Sequence, residues 1–301
     1  MRNNDEWKTF PAGLSSIAPR VGPFAQRPFL EAVWQHRSDQ NAQLHIERST
    51  TGGAAVVLSN GVIEFAGQAD LTDYHTPVGQ DGAGVLVSAL ERFGDMPFRL
   101  DSLPHEAVEL ITGALLEAGV SHVVTDHEAT AVLALPDTYE EWLDSLGKKQ
   151  RHEVRRKRRK FEAEFGEIAI EHHKGDALEV FCTMHRLSAG EKGQFMTSPM
   201  QDFFSELLLS VGASIHLLIC HGVPRAAAFG FETEDAYFYY NSAYDPGAAM
   251  ASPGVVLLSS MIETEIDRGA AVFDFLKGDE QYKFRHGAEA RPLHMIEGRT
   301  P

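Results

Sequence analysis

Three stretches of the 301-residue chain bring together residue types that can do chemistry. The first, FDFLKGDEQYK, sets Asp274, Tyr282 and Lys283 within ten residues of one another. Burial penalises the charge of a carboxylate flanked by phenylalanines, so Asp274 can serve as a base or orient an amine. It can equally be a strand-end acid that caps the following turn or pairs with a lysine. The second stretch, AYFYYNSAYDPGAAMASPGVV, reads as a strand, a loop of small residues and a helix start at Ser252-Pro253. Free N–H groups and the positive end of the helix dipole make Ser252, Gly254 and Val255 an anion site. Gly254 lets a ligand come close to the backbone. Ser-Pro starts many helices, Ser198-Pro199 among them, so by itself the motif is only a helix start.

The third stretch is KKQRHEVRRKRRK, residues 148–160, with nine Lys or Arg in thirteen positions. The chain as a whole carries a net charge of −16, so everything outside this stretch is strongly acidic. Such a surface repels polyanions and argues against DNA or extended nucleic-acid binding. Val154, Phe161 and Phe165 form a narrow apolar seam on the helix, and the rest of its circumference is cationic. Arg155 with Arg159, and Arg156 with Lys160, are like charges one turn apart, which cost helix stability. Acidic neighbours in the other domain can offset them. A phosphate held by Arg151 and Arg155 at the mouth of a cleft is the other reading.

Several classes drop out. Fourteen histidines raise the question of a metal, but no H-x-x-x-H or C-x-x-C spacing occurs. His172 and His173 must face opposite sides of a strand, so no metal is expected. Cys182 and Cys220 read as buried free thiols in a reducing cytoplasm. No apolar run reaches the roughly 20 residues of a membrane span, and MRNNDEWKTFPAG lacks an apolar signal core. A cytoplasmic location is expected.

The elements that must position these residues can be read in order. Residues 1–136 are mixed α/β, with a hairpin at Asn60-Gly61, a short strand near 98–100, a helix over 104–118, and two strands within SHVVTDHEATAVLALP. Residues 137–166 form a helical connector. An Asp137–Glu140 capping box starts it, Gly147 interrupts it, and the basic helix then runs to Gly166. Residues 167–301 give a strand, two helices, three strands, the Ser252-Pro253 helix, a buried strand (AAVFDFLKG), a short helix and a last strand. The fold class is α+β, with a mixed, mainly antiparallel sheet flanked by helices.

That order, and the blocks YEEWLDSLGKKQRHEVRRKRRKFEAEFG and AYFYYNSAYDPGAAMASPGVVLLSSMIETEIDRGAAVFDFLKGDEQYKFRHG, resemble the CelD-like branch of the GNAT acyltransferases (Acetyltransferase 6 type). These are related to the Fem-type aminoacyl transferases. The resemblance spans about 139–287 and implies two tandem GNAT-like domains, the first degenerate. It implies an N-acyltransferase that moves an acyl group from acyl-CoA to an amine of a small molecule or envelope precursor. The pyrophosphate would rest on the helix start at 252–255, and a backbone N–H near Asn241, Ala243 and Tyr244 would serve the oxyanion. Tyr282 would protonate the leaving thiolate, and Lys283 would match a lysine at the acyl-transfer centre of Fem-type relatives. His185 reads as a core or partner-bonding histidine. One departure stands out: GAAMASPG lacks the Arg or Gln that opens the usual Arg/Gln-x-x-Gly-x-Gly/Ala loop. An aminoacyl-tRNA donor of the Fem type, or a non-catalytic binding subunit in polysaccharide production, therefore remain as alternatives.

Overall fold

In the computed structural model, residues 5–37, 39 and 41–300 are described. They divide into two units, Met1–Thr130 with Arg291–Pro301, and Ala131–Ala290. This differs from the expected boundaries in two ways. The basic helix belongs to the second unit and is not a separate connector, and the C-terminal strand folds with the first unit.

The first unit contains α1 (Arg27–Arg37), β1 (Gln43–Arg48), β2 (Gly53–Ser59), β3 (Val62–Phe65), α2 (Gly82–Glu91), β4 (Pro97–Pro104), α3 (His105–Glu117) and β5 (His122–Ala134). Strands β1, β2 and β3 pair antiparallel. Asn60 (φ 51) and Gly61 (φ 79) make the tight turn between β2 and β3 that their side chains favour. Strand β4 lies parallel to β3, with Ile63 opposite Phe98. Its other edge pairs antiparallel with β11 (Glu289–Arg299), the chain's last strand. The segment 122–134 is one strand where two were expected. It contains neither Gly nor Pro, so nothing in it breaks the extended run.

The second unit contains α4 (Tyr139–Ser145), α5 (Lys148–Phe165), β6 (Ala169–His173), α6 (Leu178–Arg186), α7 (Glu191–Phe195), α8 (Ser198–Glu206), β7 (Ser214–Cys220), β8 (Val223–Glu232), β9 (Ala236–Tyr244), α9 (Pro253–Asp267), β10 (Val272–Lys277) and α10 (Gln281–Arg285). From the end of β5 its strand order runs β10-β9-β8-β7-β6. Strands β7, β8 and β9 are antiparallel, and β10 is parallel to β9. Three antiparallel strands, a helix, a parallel strand and a helix thus recur in both units.

The capping box of α4 sits one residue later than expected. Thr138 Oγ1 accepts from the Glu141 N–H at 3.2 Å, and Glu141 returns the bond to the Thr138 N–H at 3.1 Å. Thr138 has the extended backbone a cap needs. Trp142, on the first full turn of α4, is completely buried among Leu133, Val154, Phe161 and Phe275. Each such aromatic contributes about 2–3 kcal/mol by leaving water. This core fixes α4 and α5 against α9. Among the described residues, no helix is long and apolar enough to cross a membrane.

Candidate functional site

The site begins with a local irregularity in β9. Phe229 of β8 lies opposite Asn241, but the next residue, Gly230, lies opposite Tyr239. Tyr240 is therefore an extra residue, a β-bulge, and the alternation of faces shifts past it. Tyr237 and Tyr239 belong to the core against α9. After the bulge it is Ser242 and Tyr244, not Asn241 and Ala243, that share their face and line the cavity described below. Asn241 turns the other way, where its Oδ1 lies 3.0 Å from His185 Nε2. His185 is thus a buried, partner-bonding histidine, as expected from its helix.

The second feature is a short ladder. Strand β10 pairs with β9 only over Val272–Ala236, Phe273–Tyr237 and Asp274–Phe238. The ladder ends there, and a cavity of about 390 Å³ lies beside the later part of β9. Its walls come from β9 (Tyr239, Ser242, Tyr244), the start of α9 (Ser252, Pro253, Gly254, Val255, Leu258), α10 with its cap (Tyr282, Glu280), and the side chains of Lys157 and Lys192.

Ser252 stands in the left-handed region (φ 62, ψ 53) and offers no side-chain cap to α9. Its carbonyl accepts from the N–H groups of Val255 and Val256 at 3.1 and 3.3 Å, and Pro253 has no N–H. The Ser252 N–H is likewise taken, by the Ala249 carbonyl at 3.0 Å. Of the expected anion-site donors the Gly254 N–H is the one these bonds leave out, while the positive start of the fifteen-residue helix lines the cavity. Lys157 and Lys192 reinforce that sign. Burial lowers the pKa of Lys192 even though part of the side chain reaches solvent, and its ammonium lies 6.0 Å from the centre of the Tyr244 ring.

Tyr282 sits between this cavity and a second one of about 440 Å³, lined by Lys149, Gln150, Glu153, Val154, Lys157, Val255, Tyr282, Arg285 and His286. Lys157, Val255 and Tyr282 are common to both. Burial first, then the neighbouring Tyr239 and Glu280, raises the Tyr282 pKa far above the usual phenol value. Its hydroxyl stays protonated at any physiological pH and can only give its proton to a strong base. The same burial pushes Tyr239 up to about 12.

His286 completes the second cavity. Its Nδ1 lies 2.7 Å from the Tyr282 carbonyl, which can only accept, so the proton sits on Nδ1. Desolvation lowers the ring's pKa and keeps it neutral. Nε2, buried and without a hydrogen-bond partner, is left with a lone pair for a donor on a ligand. Trp142 holds this geometry by stacking on the imidazole at 8° and donating Nε1–H to the His286 carbonyl at 2.9 Å.

The remaining expected site residues occupy structural positions. Lys283 is 2% exposed, and its ammonium donates to the carbonyls of Leu276 (3.2 Å), Lys277 and Gly278 (3.4 Å) beside the Glu280 carboxylate at 3.0 Å. Its three protons are consumed in closing the turn from β10 to α10. Asp274 is buried on β10 and accepts from the Leu276 N–H at 2.8 Å, which supports the left-handed Leu276 (φ 62). Neither residue lines either cavity.

Arg151 pairs with Asp144 and Arg155 with Glu140, both at 2.8 Å and both on α4. Arg156 binds Glu153, while Arg158 reaches Glu162 and Glu263. Exposed pairs of this kind contribute about 0.2–1 kcal/mol each, enough to offset like-charge repulsion of about 0.2–0.5 kcal/mol per pair along the helix. The compensating acids lie in the same unit, not in the other one.

Residues 148–284 match the acetyltransferase (GNAT) domain family. Solved structures agree at the level of fold. A conserved protein of unknown function from Bacteroides thetaiotaomicron aligns over 99% of this chain and 96% of its own, at 10% identity and a TM-score of 0.65. FemX aligns over 97% and 94% at 12% identity, TM-score 0.62. L-PGS from Bacillus licheniformis aligns over 92% and 93% at 12% identity, TM-score 0.59. No curated protein matches the sequence.

Of the positions expected to carry chemistry, Tyr244, Ser252, Gly254, Val255 and Tyr282 come together in the first cavity. The sequence reading missed Lys157, Ser242 and His286. Lys157 had a signal: it lies three residues after Val154 and four before Phe161, so it falls within the apolar seam. His286 had none, because the Trp142 that stacks on it is 144 residues away.

Proposed function

We propose that the GNAT domain transfers an acyl group from a coenzyme A thioester to an amine by direct attack. The observation that carries this reading is the cavity beyond the end of the β9–β10 ladder, lined by the later part of β9, the start of α9 and Tyr282. A pantetheine arm is a thin polar chain that can replace the missing ladder bonds on the β9 edge. The pyrophosphate end suits the start of α9 and Lys157, where dipole and charge agree in sign. The amine nitrogen forms a C–N bond to the carbonyl carbon, and the C–S bond then breaks. A backbone N–H of β9 near Ala243 and Tyr244 supports the oxyanion of the tetrahedral intermediate. Tyr282 keeps its proton and donates a hydrogen bond to the departing sulfur, while the amine's surplus proton passes by way of solvent or the neutral His286 to the thiolate. Lys283 acts as a positioning residue by holding the turn that carries Tyr282.

The acceptor side of this reading is an amine on a small molecule or envelope precursor that also carries negative charge. Lys149, Lys157 and Arg285 outnumber the single Glu153 around the second cavity. A second reading replaces the thioester by an aminoacyl-tRNA ester, in line with the FemX-like fold and the absent Arg or Gln ahead of α9. Thermal melting of the full chain separates the two. Stabilisation by coenzyme A and not by aminoacyl-tRNA is expected. Stabilisation by tRNA alone would favour the second reading, and by neither a non-catalytic binding role.

A further inference from the structure

Three strands of the second unit bring two imidazoles and one carboxylate together, away from the residues that line the cavities. His172 on β6 lies directly across from His216 on β7. Glu232, at the end of β8, puts its Oε1 3.1 Å from His172 Nε2 and 3.5 Å from His216 Nε2. One ligand atom from each of the three residues lies within 4.8 Å of the others.

These distances fit the edges of a metal's coordination shell. With zinc bonds of about 2.0–2.1 Å to nitrogen and oxygen, neighbouring ligand atoms of a tetrahedron lie about 3.3 Å apart. Two of the three edges already match, and the third closes with a small turn of the exposed His172 ring. His216 is buried, and its Nε2 faces the Glu232 carboxylate from the core side, while His172 faces it from the exposed side. Outer partners are present too. Tyr237 Oη lies 3.5 Å from His216 Nδ1, and Ser214 Oγ donates to Glu232 Oε1 at 3.0 Å. Contacts of this kind fix ring orientation and ligand basicity at metal sites.

We propose that His172, His216 and Glu232 form a zinc site with a fourth position open to water. Two imidazoles and a carboxylate favour zinc or a similar borderline cation over magnesium or calcium. Strand β6 ends the strand order of this unit. The ion would tie that edge strand to β7 and β8, a structural clamp that takes no part in acyl transfer. Spacing along the sequence cannot reveal such a site. His172 and His173 do face opposite sides of β6, and the partner of His172 comes from the next strand.

The test uses the full chain, freed of any affinity tag and stripped of metal with a chelator. It is titrated with zinc chloride by calorimetry and with cobalt chloride by visible absorbance. We expect one equivalent of zinc, tetrahedral cobalt bands, and a melting temperature that rises with zinc. His172→Ala replaces an exposed residue and keeps the metal-free melting temperature, while weakening zinc binding at least 10-fold and abolishing the cobalt bands. Glu232→Gln should weaken binding as well. Zinc binding of equal strength in wild type and His172→Ala would overturn the proposal, and so would binding well below one equivalent in the wild type.

Discussion

The two units repeat one order of elements, yet their central helices begin in different surroundings. In the first unit the chain closes over the start of α2. The turn between β1 and β2 runs so near that a Cβ on Gly52 would stand 2.7–2.8 Å from the backbone of Asp81 and Gly82. A Cβ on Gly82 would meet Ile17 at 2.9 Å. In the second unit the start of α9 faces open space, and a Cβ on Gly254 would meet only the Tyr244 ring at 4.0 Å. The exits differ as well. Strand β4 passes directly into α3 at Pro104 and His105, whereas three residues separate β10 from α10 and Lys283 holds them. The first unit has filled its helix start with its own backbone, and the second leaves its helix start open on a cavity. One topology can thus serve as scaffold or as site, depending on what lies over the helix start.

The largest expected effect tests the second unit's chemistry. Tyr282→Phe removes the phenol from the wall of both cavities and should lower kcat about 100- to 1000-fold, with KM for the thioester little changed. Steady-state kinetics of thiol release, once an acceptor amine is in hand, checks this. Lys283→Met leaves three carbonyls of the β10–α10 turn without their donor. It should destabilise the protein by about 2–3 kcal/mol, read from denaturant melts. The contrast between the helix starts appears most plainly in a matched pair. Gly52→Ala forces backbone against backbone and should cost about 1–3 kcal/mol. Gly254→Ala has room and should leave stability equal or higher by up to about 1 kcal/mol.

A smaller effect concerns pH. Burial depresses the folded-state pKa of His286, so the unfolded chain binds its proton first as pH falls. The stability from keeping this ring neutral is fully present above about pH 6.5 and is lost as pH drops toward the folded value, by at most about 1.4 kcal/mol per pH unit. His286→Gln should therefore flatten the decline of stability between about pH 6.5 and 5 in melts followed against pH.

The second unit's plan was readable because each helix and strand carries its own punctuation: Gly147 and Gly166 around α5, Ser252-Pro253 before α9, and Asn60-Gly61 in the first unit. Other features depend on partners far along the chain. The bulge at Tyr240 exists because of how β9 meets β8, and it moved the cavity-facing position from Asn241 to Ser242. Arg151 and Arg155 are the expected phosphate ligands, and only the fold shows that α4 presents Asp144 and Glu140 to them. The family resemblance puts Lys283 at the acyl-transfer centre, and no local pattern reveals the three carbonyls that converge on its ammonium. The C-terminal strand's place in the first unit follows from its pairing with β4, almost 200 residues earlier.

The central claim is that the start of α9 holds the acyl donor. Calorimetric titration of the full chain with acetyl-CoA, comparing wild type with Gly254→Phe, tests it most directly. The account predicts one equivalent bound by the wild type. Binding should be at least 100-fold weaker in the variant, whose new ring fills the cavity while its melting temperature stays within a few degrees. Equal affinity in both proteins, or no binding of any coenzyme A thioester by the wild type, would contradict it.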